Sequence, residues 1–98
     1  TETFYKSEQT NSLVKVEVYN PIEKSLITFY FQSERLIFVK GNDTSGTVPL
    51  LIEIVFRNEQ LVYESYSRSH GSKNRTERLI NKSKSYLLRY KLFHKMPH

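Results

Sequence analysis

The side chains able to do chemistry are few, and their spacing brings no catalytic set together. His70, His94 and His98 fall in a connection or at the tail. A metal site built on the last two would need orienting carboxylates, and Glu77 is the only acid after residue 67. Ser69 precedes His70, but a triad also needs an acid to orient the histidine and donors for an oxyanion. Asn42, Asp43, Thr44 and Ser45 offer oxygen atoms without the spacing of a calcium loop or its closing bidentate Glu. Glu53 and Glu64 are expected to face each other across a hairpin. Paired carboxylates can do acid–base work, yet a solvated sheet face uses glutamate just as readily. There is no cysteine, hence no disulfide and no thiolate ligand or nucleophile. No glycine-rich phosphate loop exists. The residues point to no enzyme, no metal and no cofactor.

Charge is the second source of chemistry. The net charge is +5, but it is unevenly spread. Residues 1–67 hold six Lys/Arg and nine Asp/Glu, and residues 68–98 hold nine Lys/Arg and one Glu. A mildly acidic part is followed by a strongly basic one. Such a division serves intramolecular complementarity and solubility, or it presents a basic surface to nucleic acid, an anionic surface or an acidic protein. The candidate anion-binding residues are Arg78, Lys82 and Arg89 on one side of a helix, with Lys84, Lys91 and Lys95 on the other. Tyr86 and Tyr90 lie among them but fall on the expected core arc, where they cannot stack on a base.

The elements that must position these residues begin with a repeat. Phe29–Val39 (FYFQSERLIFV) and Ile54–Glu64 (IVFRNEQLVYE) superpose at a shift of 25 residues. Each reads as a β-hairpin. Alternation places Ile27, Phe29 and Phe31 on one face. An even loop adds Leu36 and Phe38 to that face. The second unit places Ile52, Ile54, Phe56, Leu61 and Tyr63 there in the same way. The even loop is either Ser33-Glu34 as a two-residue turn or Gln32 to Arg35 as a four-residue one; neither turn carries the glycine of a tight primed turn, which favours four-residue loops. Before the repeat, Leu13–Asn20 alternates as a half-buried strand, with Val14, Val16 and Val18 on one face. Residues 1–12 form a short edge strand or a loose lead-in, and Gly41–Gly46 reads as a loop.

After a polar connection, Asn74 and Glu77 have capping-box spacing for a helix over about 75–93. Leu79, Ile80, Tyr86, Leu87, Tyr90 and Phe93 make its apolar arc. The chain is thus one α+β domain over residues 1–98. An antiparallel meander of about five strands occupies 13–67, with one amphipathic C-terminal helix packed on one face. The second sheet face is expected to carry Tyr30, Ile37, Val39, Leu51, Val55, Val62 and Tyr66. An apolar second face points to a protein partner, a second copy of the chain or a missing segment. Tyr30 and Tyr66 would be the only aromatics there for single-stranded bases to stack on, and Glu53 and Glu64 would repel phosphate.

The hairpins resemble those of small bacterial secreted or lipoprotein-type domains: aromatic-x-Phe, a short turn, then Leu and two β-branched or aromatic residues. Phe29-Tyr30-Phe31 with Leu36-Ile37-Phe38, and Val55-Phe56 with Leu61-Val62-Tyr63, carry the likeness. Where such domains have Asn-Gly-Lys at the turn, this chain has Ser33-Glu34-Arg35 and Asn58-Glu59-Gln60. The resemblance implies a periplasmic, envelope-anchored or secreted protein and transfers no functional residues. No run is long enough to span a membrane. The chain opens on Thr1 rather than Met, as expected of a processed form or a fragment.

Overall fold

The computed structural model describes residues 1–43, 50–58, 60–66 and 73–95, with side chains except at 43, 50, 66, 73–76 and 93–95. Six strands form one antiparallel sheet in sequence order: β1 (Glu2–Lys6), β2 (Leu13–Asn20), β3 (Ser25–Gln32), β4 (Arg35–Asp43), β5 (Leu50–Arg57) and β6 (Gln60–Tyr66). One helix, α1 (Lys73–Lys95), packs across a single face. The α+β meander is therefore as expected, with one strand more. The lead-in is a strand, because Phe4 pairs with Val16 and packs against the core. The expectation of a loop over Gly41–Gly46 is corrected at its start, since β4 continues through Gly41 and Asn42 to Asp43. Gly41 faces the helix side between Ile27 and Ile52, and a Cβ there would lie 3.3 Å from Ile52. Residues 44–49 lie outside the described set, as do Ser69, His70 and His98.

Alternation fails at one point in each of three hairpins, and the failure is the same each time. Phe31 pairs with Leu36, but Tyr30 pairs with Phe38, leaving Ile37 as an extra residue in β4. Phe56 pairs with Leu61 and Val55 with Tyr63, leaving Val62 extra in β6. Lys6 pairs with Leu13 and Tyr5 with Lys15, leaving Val14 extra in β2. Each is a β-bulge, and each inverts the parity of the rest of its strand. Val39, not Phe38, therefore joins Phe29 in the core, where it is 0% exposed. The expectation that Val39 lies on the second face is corrected, and Phe38 and Tyr63 move to that face. Likewise Leu13 and Val16, rather than Val14 and Val16, share the core.

The turn between β3 and β4 is Ser33-Glu34, two residues rather than four. Both have left-handed backbone, with φ of 51° and 63°, the conformation of a type I′ turn. The chain adopts it without glycine, and in the next turn Asn58 is also left-handed, with φ of 52°. By contrast, Asn20 starts the β2–β3 turn by accepting from the N–H groups of Ile22 and Glu23 at 3.0 and 3.2 Å.

The core lies between sheet and helix. Phe29, Phe31, Leu36, Val39, Ile54 and Phe56 meet Leu79 and Tyr86 there, and Ile80, Leu87 and Tyr90 flank them. Each fully buried side chain of this size stabilises by roughly 1.5–3 kcal/mol. The helix arc is as expected at every residue with a described side chain; those of Phe93 and the Asn74 cap are not among them. Ser83 was not foreseen. It is buried, and its hydroxyl donates to the Ile80 carbonyl at 2.6 Å. A small, self-satisfied side chain there leaves room for the sheet.

Candidate interaction surface

The bulges assemble the face that the helix leaves open. Following the register across the sheet, Tyr5 pairs with Lys15, Lys15 with Tyr30, Tyr30 with Phe38, Phe38 with Val55, and Val55 with Tyr63. One row of mostly aromatic residues thus crosses all six strands. Tyr63 is 53% exposed and Val55 37%. The rings of Tyr30 and Phe38 stack with centroids 5.6 Å apart and planes 25° apart. Adjacent strands are about 4.8 Å apart, so the two rings pack against each other across neighbouring strands.

The neighbouring row is polar: Thr3, Glu17, Thr28, Lys40, Glu53 and Ser65. Glu53 pairs with Ser65 and Glu64 with Ile54. The two glutamates expected to face each other therefore do not form a carboxylate pair. The bulge at Val62 separates them. A third row holds Tyr19, Leu26, Asn42 and Leu51, and Leu51 is 52% exposed.

Of the expected surface residues, Tyr30, Leu51, Val55 and Val62 are on the open side, and Ile37 is half-buried beside them. Tyr66 pairs with Ile52, which places its backbone in a helix-side row rather than an open-side one. Its side chain is outside the described set. Phe38, Tyr63 and Tyr5 were missed. A signal was present only in β2, where Leu13 and Val16 are an apolar pair three apart, which an unbroken strand puts on opposite faces.

At the β1 end of this face Tyr5, Lys15 and Glu17 interact. The Lys15 ammonium lies 4.3 Å from the Tyr5 ring centre and 3.3 Å from the Glu17 carboxylate. The Tyr5 hydroxyl, donating to Glu17, holds that carboxyl below its ordinary range, and Lys15 adds to the effect. The same hydrogen bond raises Tyr5.

The basic helix is partly spent within the molecule. Arg89 donates to Glu2 at 2.9 Å and lies over the rings of Phe4 and Tyr86, 5.5 and 5.2 Å from their centres. Lys91 pairs with Glu34 at 2.9 Å. Glu2 belongs to β1 and Glu34 to the β3–β4 turn, so charge complementarity within the chain is realised at two points. Exposed pairs of this kind contribute up to about 1 kcal/mol each. Arg78, Lys82 and Lys84 are exposed, and the Lys95 side chain is not described. Beneath Arg89, burial raises the Tyr86 hydroxyl to about 12, aided by the charge and hydrogen bonding of Glu2 and opposed by Arg89. Tyr86 is set by edge contacts to Phe4 and Phe29 at 5.9 and 5.2 Å.

Among the described residues no cluster of His, Asp or Glu could hold a metal ion, and no helix is long and apolar enough to cross a membrane. No family model matches the chain, and no curated protein or solved structure proves similar to it.

Proposed function

We propose that this chain is a non-catalytic interaction module of a bacterial envelope or secreted protein, and that it associates with a second copy of itself through the open sheet face. The observation that carries this reading is the row Tyr5–Lys15–Tyr30–Phe38–Val55–Tyr63, apolar over four adjacent strands and uncovered by the helix. A six-stranded sheet with strands of this length presents roughly 700 Å² per face, close to what each partner contributes to a standard interface. The polar row is self-complementary in charge: Lys40 lies between Glu17 and Glu53. A second sheet turned to face the first can set Lys40 against an acid of its partner. Two such sheets make a sandwich with both helices outside.

Two observations favour this over polyanion binding by the helix. Arg89 and Lys91, two of the six basic candidates, already hold carboxylates of β1 and of the β3–β4 turn. The Tyr30 and Phe38 rings are half-buried and packed on each other, which leaves less of either face for a base to stack on. The experiment is to replace Val55 and Tyr63 with lysine, singly, and compare self-association with the parent chain. Both positions are exposed, so the fold should survive while association is lost. Unchanged association in both variants would overturn the reading.

A further inference from the structure

The ladder between β4 and β5 ends at the Phe38–Val55 pair, although β4 begins at Arg35 and β5 runs to Arg57. Beyond that pair the two strand tips bound a groove of about 530 Å³. Ile37, Val55 and Val62 line it, and Ile37 and Val62 are the two bulge residues. Arg35 and Arg57 stand in its wall, and among the described residues that wall contains no carboxylate. The one acid described in the nearby turn, Glu34, is held by Lys91 of the helix. The Arg35 Nη1 donates to Asn58 Oδ1 at 2.9 Å, tying the β4 tip to the next turn. That bond uses one of the five donors of the guanidinium and leaves capacity for a ligand.

The repeat explains how two arginines meet here. A shift of 25 residues carries Gln32 onto Arg57 and Arg35 onto Gln60. The arginines thus occupy the inner strands β4 and β5, and the glutamines occupy β3 and β6.

We propose that this notch binds the C-terminal end of an extended apolar peptide, with its carboxylate on Arg35 and Arg57 and its last side chain against Ile37, Val55 and Val62. Three features select that occupant. Arginine pairs with carboxylates through parallel N–H···O bonds. The lining takes a branched or aromatic side chain. The stretches of β4 and β5 outside their shared ladder can bond a peptide backbone, as in strand addition. An alkyl carboxylate would use the first two features but not the third. The inference goes beyond self-association and does not depend on it, because it rests on Arg35 and Arg57, which are outside the open-face row; the two surfaces share Val55, so peptide and a second copy would compete there.

The test is a random hexapeptide library ending in Val, Ile, Leu or Phe, offered to the full chain as free acids and as C-terminal amides. Affinity is read by titration, and the site by backbone amide NMR shifts. Free acids should bind with shifts at Ile37, Val55 and Val62, and amides at least about tenfold more weakly. Arg35→Gln and Arg57→Gln should each weaken the acids while leaving the amides unchanged. Decanoate should bind less tightly than the selected peptides. Equal binding of acids and amides, shifts elsewhere, tighter binding of decanoate, or no binding at all would each overturn the proposal. Solution mass without peptide reports self-association separately, so either idea can fail alone.

Discussion

Tyr30 and Phe38 face each other on adjacent strands with their rings stacked 5.6 Å apart. Simple alternation pairs Phe38 with Phe29 instead. The difference of one residue, made by the bulge at Ile37, decides which face each later side chain of β4 takes.

Substitution should therefore reveal the true faces. Val39→Ser places a hydroxyl in the core and is expected to cost roughly 3 kcal/mol, by lost burial and desolvation together. Phe38→Ser, on the half-buried open side, should cost only about 1 kcal/mol. Urea denaturation gives both values, and the reverse order would contradict the register.

The β3–β4 turn holds Ser33 and Glu34 at positive φ, where Asn and Gly are at less cost. The double change Ser33→Asn with Glu34→Gly should raise stability by about 1 kcal/mol, even after loss of the exposed Glu34–Lys91 pair. Lower stability in denaturant would mean that the turn is not of the primed type.

Ser83 tests the closeness of helix and sheet. Its hydroxyl bonds only within its own helix, so Ser83→Ala should change stability by less than about 0.5 kcal/mol. Ser83→Leu should cost about 2 kcal/mol by overpacking. A thermal melt that ranks the two equal would argue against tight packing there.

Tyr86 makes alkaline pH informative. Burial raises its folded value to about 12, against about 10 in an unfolded chain. The folded state then binds the proton more tightly. Its contribution is fully present below pH about 10 and is lost as pH rises towards 12. Tyr86→Phe should flatten stability over that window relative to the parent. An unchanged slope would remove Tyr86 as the source.

The sequence carries the strand-and-helix pattern plainly, because Phe29, Phe31, Ile54 and Phe56 alternate and Leu79, Tyr86 and Leu87 recur at helical spacing. It hides the bulge in β4, because Leu-Ile-Phe-Val there is apolar at every place and alternation has no polar residue to fix it. Leu61-Val62-Tyr63 in β6 has the same ambiguity. The open face was foreseen as apolar, but Val39 was placed on it and Phe38 left off for this one reason. The tight turns were hidden because their backbone asks for glycine and the chain supplies Ser33, Glu34 and Asn58. The splitting of the helix charge was legible only as a balance of signs. Which bases meet which acids, Arg89 with Glu2 and Lys91 with Glu34, depends on how the helix crosses the sheet.

The most direct test of the open face as a self-association surface is solution mass by light scattering, at low and high salt, with and without a short oligonucleotide. The expected result is twice the 11.7 kDa of one chain, insensitive to salt and oligonucleotide, because apolar burial is little screened. A single-chain mass that rises only with oligonucleotide, and only at low salt, would contradict it and make the basic helix the site.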